Sequence, residues 1–404
     1  MIEPHIVRRS TALLAATLTC LSGMLQLVVA VATITLVLVT GIESILGLGP
    51  AVFLASAALA ALPAGRAMDR RGRVPVLAAG CLCGVAGCVL AAAGSAAETW
   101  LLVIPGFMLI GVSSGTVLLA RVAAADLYPP ARRGRGISLV LFGSLFGAAL
   151  GPLVFRPLLE GKTLDSGSLV IPYLAAGAIM VLGTLIVLQV KPDPSVFAER
   201  HHGSAPRAEP AALAEILRRP GAIVAVVAAV ASFSVMVSVM NLAGYVVVGN
   251  GHPQADVFTV ISAHIVGMYA LVLVVGRFVD DMGRRPALIG GLLVEAVSAA
   301  GIGWAHSVAA SCVCLFGLGI GWNVAFVAAA AELTDIALPA ERGKLLGFTD
   351  LVSGLTGAGF ALAGGVIYSQ MGAIALGVGA MAIAAVPAAW FTVTAVRRPL
   401  PASG

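Results

Sequence analysis

The chain has 404 residues, of which 59% are hydrophobic and only 11% are charged. Soluble domains carry about 25% charged residues, so this composition excludes a water-soluble protein and indicates one embedded in a bilayer. The six cysteines all fall within apolar stretches, which excludes a disulfide framework and zinc-finger spacing.

Apolar stretches long enough to cross a membrane, which takes about 20 residues, follow one another along the whole chain. The first is too long for the apolar core of a signal peptide, so we interpret it as a membrane span. We predict an all-α membrane protein with about twelve transmembrane helices. The predicted spans lie near residues 12–39, 49–65, 75–95, 99–121, 136–158, 168–190, 221–248, 256–276, 286–304, 308–330, 345–369 and 372–395.

One long polar interval, residues 191–220, interrupts this pattern near the middle of the chain. It is rich in Pro, His and Arg, a composition typical of a linker. We therefore predict an N-terminal six-helix bundle at residues 1–190, a cytoplasmic linker at residues 191–220 and a C-terminal six-helix bundle at residues 221–404.

The basic residues predict the orientation of the chain. With the N-terminus placed in the cytoplasm, all 24 Lys and Arg except Arg156 and Lys162 fall on the cytoplasmic side. Both termini are then cytoplasmic. The net charge of +5 becomes a signal of topology, so we predict the lipid bilayer as a partner and no nucleic acid.

Two short motifs recur at nearly the same offset. Residues 65–75 (GRAMDRRGRVP) recur as residues 276–286 (GRFVDDMGRRP), and residues 130–135 (PARRGR) recur as residues 339–344 (PAERGK). Because both offsets are close to 210 residues, the two halves of the chain share one build.

The pattern Gly-x-x-x-Asp-Arg-x-Gly-Arg between spans two and three resembles the signature of the major facilitator superfamily, and the likeness covers essentially the whole chain. This resemblance implies two pseudo-symmetric six-helix bundles that expose a central site alternately to each side of the membrane. It also implies that the signature loops lock one conformation by charge pairing, although the second copy lacks the Arg after Asp280. The implied gating residues are Gly65, Asp69, Arg70, Gly72, Arg73, Gly276, Asp280, Gly283 and Arg284.

Spans seven and eight carry a set of soft ligands. Met236 and Met240 are four residues apart in span seven, and His264 and Met268 are four residues apart in span eight. On helices each pair shares one face, and the two pairs lie at similar depth. Three thioethers and an imidazole suit Cu(I) far better than hard cations.

These residues also have interpretations that do not involve a metal. Methionine is a common core filler, and a histidine inside a membrane also serves as a hydrogen-bonding group between helices. The cysteines, including Cys20 in span one, are favoured as small apolar packing residues rather than ligands.

The combination of Met-x-x-x-Met in span seven with His-x-x-x-Met in span eight resembles the CcoA-like branch of the superfamily. That resemblance implies import of copper through the bacterial inner membrane for assembly of cytochrome oxidase, with copper bound by Met236, Met240, His264 and Met268. It further implies a monomer with no cofactor, and a possible cytoplasmic copper acceptor on the inner side. The sequence leaves open whether Cu(I) or Cu(II) enters and what drives transport.

Two alternatives remain. Proton-coupled efflux of a small organic molecule would use Glu295 in span nine as the proton site. The same alternative is favoured by Gly147-x-x-x-Gly151-Pro152 in span five, which resembles half of the antiporter motif of exporters. A membrane sensor built on a carrier fold would bind metal without transporting it. An enzyme is not expected, because the sequence has no nucleophile–base pair, phosphate-cradling loop or carboxylate-rich metal site.

Overall fold

A computed structural model describes residues 4–42, 48–150, 165–202, 211–252 and 254–396 of the chain. Within these ranges every regular element is a helix, as the apolar and Ala-rich sequence predicts. The longer helices are α1 (Pro4–Thr40), α2 (Leu48–Arg71), α3 (Arg73–Ala96), α4 (Trp100–Val117), α8 (Val170–Val187), α11 (Ala222–Gly249), α12 (Gln254–Tyr269), α14 (Arg284–Ile302), α15 (Val308–Ile336) and α16 (Arg342–Val396). The shorter ones are α5 (Ala120–Leu127), α6 (Arg133–Leu141), α7 (Gly143–Leu150), α9 (Pro194–His202), α10 (Leu213–Arg218) and α13 (Val272–Met282).

Nine helices in the described ranges are long and apolar enough to cross a membrane, or ten if a bent pair counts as one span. The all-helical membrane fold expected from the sequence is confirmed. The predicted span at 136–158 runs into residues 151–164, which lie outside the described ranges, as does the Gly151-Pro152 half of the exporter-like motif. The predicted spans at 345–369 and 372–395 form α16, which is interrupted at Gly372, where the backbone is not helical.

The contacts divide the chain into two compact units. Unit 1 comprises Met1–Leu213 and Ala337–Gly354, and unit 2 comprises Ala214–Ile336 and Leu355–Gly404. This partition assigns the start of α16 to unit 1, whereas the sequence repeat counts it with the second half of the chain. The predicted bundle boundaries stay a prediction.

Small residues allow the helices of unit 1 to pack closely. A Cβ atom on Gly115 of α4 would overlap the backbone carbonyl of Ala57 in α2. A Cβ on Gly106 of α4 would lie 2.8 Å from the amide nitrogen of Ala91 in α3. In lipid the helices gain little from the hydrophobic effect against one another, so such close approach supplies the packing energy.

In unit 2, glycines likewise allow α12 and α14 to pack closely against α15. A Cβ on Gly267 of α12 would overlap the carbonyl of Phe316, and one on Gly321 of α15 would lie 2.7 Å from the amide nitrogen of Glu295. These contacts fix α12 and α14 against α15 with almost no space between their backbones. The side chains on the contacting faces are therefore held in defined positions.

We predict that Gly115→Ala lowers thermal stability in detergent, because its methyl group has no room against α2. Overpacking of this kind costs about 1–3 kcal/mol. Gly290→Ala in α14 is the matched control, since a Cβ there meets no atom within 4 Å. The measurement is the unfolding temperature of each purified variant, and equal temperatures for the two variants would contradict this account of the packing.

Candidate functional site

Two regions of the structure carry clustered functional side chains, and the first lies in unit 1 around Arg73. This side chain is 1% exposed at the start of α3. Its Nε donates to Asp126 at 2.8 Å, one terminal nitrogen donates to Asp69 at 2.8 Å, and the other donates to the carbonyl of Pro339 at 2.7 Å. A charge this deeply buried is stable only with such partners.

Asp126 at the end of α5 joins a second arginine to the network. One carboxylate oxygen accepts from Arg73 and the other accepts from Arg342 at the start of α16. Asp126 and Arg342 are fully buried. One carboxylate therefore connects the first signature loop to the segment that follows α15.

Asp69, the acidic residue of the signature, binds the first turn of α16. Its carboxylate accepts hydrogen bonds from the backbone N–H groups of Gly343 and Lys344, at 2.9 and 2.6 Å. A carboxylate is stabilised at a helix N-terminus by the unpaired N–H groups and by the helix dipole. Gly65 makes this approach possible, because a Cβ there would overlap the carbonyl of Gly343.

The remaining residues of the first signature serve the turn between α2 and α3. Gly72 ends α2 with φ of +89°, a conformation that favours glycine. The Asp193 carboxylate caps α3 by accepting from the backbone N–H of Arg73 at 3.1 Å and of Val74 at 2.8 Å. Arg70 is exposed, in contrast to Arg73.

The second copy of the signature forms a similar network in unit 2. Gly276 is buried in α13, and Gly283 turns the chain between α13 and α14 with φ of +91°. Arg284 donates to Asp280 at 2.5 Å and to Asp335 at the end of α15 at 3.3 Å. Asp280, Arg284 and Asp335 correspond to Asp69, Arg73 and Asp126.

Asp126 and Asp335 were missed by the sequence analysis. Each precedes by four residues the Pro of the second repeated motif, Pro130 or Pro339, so the same offset that relates the motifs also relates these carboxylates. Extending the repeat alignment by one helical turn would have found both.

The second region lies in unit 2 and contains the predicted soft ligands. Met236 of α11 and Met268 of α12 are 6% and 7% exposed and form one buried cluster with Trp322 of α15. Met240 packs against this cluster, as does Phe326. The structure thus brings together the three predicted thioethers and adds an indole that the sequence analysis did not single out.

The predicted span eight is broken just after Met268. α12 ends at Tyr269, α13 begins at Val272, and the two segments are bent by 45°. The carbonyl of Met268, next to the break, accepts a hydrogen bond from the side-chain amide of Asn323 in α15. Broken helices near the middle of a membrane commonly carry the binding sites of transporters.

His264 lies one turn before Met268 on α12 and is fully buried. Its Nδ1 is 2.9 Å from the carbonyl oxygen of Leu315 in α15. A carbonyl only accepts, so Nδ1 carries the proton and, in the neutral ring, Nε2 carries the lone pair. Nε2 is buried and has no hydrogen-bond partner. A backbone carbonyl bonded to the other ring nitrogen is the usual support of a metal-binding histidine.

A metal at this position would depend on thioethers. Among the residues that the structure describes, no group of three or more His, Cys, Asp or Glu side chains is placed to hold a metal ion. Cys20 is buried in unit 1, on α1, where it packs near Gly183 and Cys81. It is therefore not on the helices that carry the methionine cluster.

Glu295, the candidate proton site, is fully buried in α14. It accepts a 2.5 Å hydrogen bond from the hydroxyl of Ser232 in α11, one turn before Met236, while its second carboxylate oxygen is buried without a partner. The side chain of Glu295 therefore points towards α11 of unit 2.

Comparison with known proteins agrees with this architecture. The Major Facilitator Superfamily profile matches residues 10–252 and 250–404. The riboflavin transporter RfnT of Brucella anthropi is 32% identical over 317 residues, covering 78% of this chain and 77% of that protein. The uncharacterized MFS-type transporter YdeG of Bacillus subtilis is 30% identical over 338 residues, covering 81% and 78%. The Escherichia coli fucose:proton symporter FucP superposes with a TM-score of 0.77 at 15% identity, covering 94% and 98%.

The repeated helices, paired signature networks and broken span define a polytopic membrane transporter. The chain belongs to the Major Facilitator Superfamily. The copper specificity inferred from the methionines is not supported by these relatives, one of which is named for riboflavin.

We predict that Asp126→Asn destabilises the protein and abolishes transport, because it removes the negative charge that the buried Arg73 and Arg342 share. Removing one partner of a buried ion pair costs about 3–5 kcal/mol. The matched control is Arg71→Gln, a change at an exposed arginine at the end of α2. Unfolding temperature in detergent and transport by reconstituted protein are the measurements, and an Asp126→Asn variant as stable and active as the control would contradict the assigned role.

Proposed function

We propose that this protein carries Cu(I) across the bacterial inner membrane, with both termini in the cytoplasm, by alternating access. The observation that carries the proposal is the buried cluster of Met236, Met268 and Trp322 with Met240 packed against it. Methionine sulfur is a soft ligand that selects Cu(I) over the hard cations of the cell. The proposed direction is inward, and the proposed use is supply of copper for cytochrome oxidase assembly.

His264 supports the same proposal. Its Nε2 lone pair is buried and lacks a hydrogen-bond partner, a costly arrangement that a transient metal ligand would explain. Nδ1 keeps its bond to Leu315, so the ring needs no rearrangement to bind the ion. Three thioethers and a neutral imidazole leave the site with the single charge of Cu(I). That charge limits affinity in an apolar interior, which suits a carrier that must release its cargo.

The proposed transport cycle uses the two signature networks. The Asp69, Arg73 and Asp126 network binds the first turn of α16 in unit 1, and breaking it would release that segment. Copper release to the cytoplasm, with or without a cytoplasmic acceptor, would accompany the resulting change of conformation. A monomer is sufficient for this cycle.

A second candidate is proton-coupled transport of a small organic molecule. Two observations favour it: a relative with 32% identity is named a riboflavin transporter, and Glu295 is a buried carboxyl group bonded to Ser232, which lies one helical turn before Met236. An intramembrane carboxyl group is a candidate proton carrier. The indole of Trp322 would then serve as a stacking surface for a planar solute.

We predict that cells expressing the wild-type protein, in a host lacking its own copper importer, accumulate radioactive copper. Met236→Leu and His264→Asn should each lower this uptake by about tenfold or more, in the range seen for altered metal ligands and their supports. Leu keeps the volume of Met without its sulfur. Asn places an N–H donor near the position of Nδ1, so it can keep the bond to Leu315 while the Nε2 lone pair is lost.

Met180→Leu is the matched control, because Met180 is also fully buried but lies on α8 in unit 1. The same cells are tested with radioactive riboflavin. Uptake of riboflavin without copper, or copper uptake unchanged in both site variants, would reject the copper proposal in favour of the organic solute.

For the second candidate, Glu295→Gln separates proton coupling from solute binding. Gln keeps the acceptor for Ser232 and the shape of Glu but cannot carry a proton. Proton coupling predicts that this variant loses accumulation driven by an imposed pH gradient while retaining exchange of labelled for unlabelled solute. Ser232→Ala serves as a packing control. Full gradient-driven accumulation by Glu295→Gln would exclude Glu295 as the coupling group.

A further inference from the structure

Trp322 is placed in the methionine cluster in a way that packing alone does not explain. The side chain is 7% exposed, and its Nε1–H is buried without a hydrogen-bond partner. Buried tryptophans usually pair this N–H group, because leaving it unpaired costs free energy. A phenylalanine or leucine would fill an apolar position without that cost. The position therefore favours a role for the indole ring itself.

The surroundings of the ring limit what that role can be. Phe326 stacks on the indole with centroids 4.8 Å apart and an interplanar angle of 18°. Phe326 therefore covers one face of the indole and leaves the other face and the edge for the remaining residues of the cluster, Met236 and Met268 among them. The indole and the two methionine side chains thus belong to one buried cluster.

The backbone of α15 holds this arrangement in place. Asn323, the residue after Trp322, donates from its side-chain amide to the carbonyl of Met268. A Cβ on Gly319, one turn earlier, would lie 2.8 Å from the amide nitrogen of Met268. The backbone of α15 at Trp322 is therefore held close to the backbone of α12 at Met268.

We propose that Trp322 is a ligand-contacting residue of the transport site, where the π face of its indole stabilises the bound Cu(I). This inference rests on the proposed copper function and names a group beyond the Met and His side chains. A cation over the face of an indole is attracted by the ring quadrupole, and tryptophan is the best aromatic side chain for this contact. An uncharged π face also shields the ion without adding a carboxylate or thiolate that would hold it too tightly for release.

The test uses Ag(I), a redox-stable substitute for Cu(I), and the intrinsic fluorescence of the purified full-length chain in detergent. The other three tryptophans, Trp100, Trp304 and Trp390, are 51%, 53% and 42% exposed and can be replaced by Phe to leave Trp322 as the only indole. We expect one equivalent of Ag(I) to quench Trp322 emission saturably and to change its absorption band. Met268→Leu should abolish both changes, whereas Met180→Leu should preserve them.

The affinity of the chain for Ag(I) gives an independent measurement of the role of Trp322. In the otherwise wild-type chain, Trp322→Leu should weaken Ag(I) binding in equilibrium dialysis by about three- to thirtyfold, and Trp322→Phe by less, because the phenyl ring keeps part of the π interaction. Should Trp322→Leu fail to fold, the Phe variant and the single-tryptophan titration decide the question.

The possible results separate this inference from the copper proposal. Ag(I) binding at one equivalent with no change in Trp322 emission, or with equal affinity in Trp322→Leu, would overturn the role of the indole and leave the copper function standing. No Ag(I) binding at all would overturn both. Quenching by riboflavin but not by Ag(I) would make Trp322 a stacking platform for an organic solute.

Discussion

The close contact between α12 and α15 is the constraint on which the candidate site depends. Gly267 and Gly319 remove the side chains that would separate these helices, so backbone meets backbone in an interior where few other forces bring helices together. Two polar bonds then fix the register, one from the His264 ring to Leu315 and one from Asn323 to Met268. His264 and Met268 lie on one of the two helices joined by this interface and Trp322 lies on the other, and α12 ends at Tyr269, one residue after Met268.

The charged residues obey a related constraint. In the protein interior a guanidinium group is tolerated only where carboxylates and carbonyls surround it. Arg73 is bonded to two carboxylates and one carbonyl. The same arrangement around Arg284 in unit 2 shows that the repeat preserves an ion-pair network as well as a turn. A network of few strong, directional bonds has discrete made and broken states, which is the property required of a conformational lock.

Much of the fold and part of the candidate site could be predicted from the sequence, because the sequence signals for them are local. Span length, positive charge in loops and the repeated signature predicted the fold class, and spacing by four placed Met236 with Met240 and His264 with Met268 on common faces. The sequence could not show that Trp322, more than 50 residues after Met268, completes the cluster, since that contact depends on how α12 packs against α15. Nor could it show that Glu295 points inward to Ser232. The carboxylates Asp126 and Asp335 could have been predicted from the sequence, because the repeat offset also relates them.

Copper binding by the methionine cluster can be tested by X-ray absorption spectroscopy of the Cu(I)-loaded chain. We expect a copper environment dominated by sulfur, with one nitrogen from His264. This sulfur shell should disappear when Met236, Met240 and Met268 are all replaced by Leu, although the six cysteines remain. A spectrum without sulfur, a sulfur shell unchanged in the triple variant, or no stoichiometric copper at all would show that the methionine cluster is not a copper site.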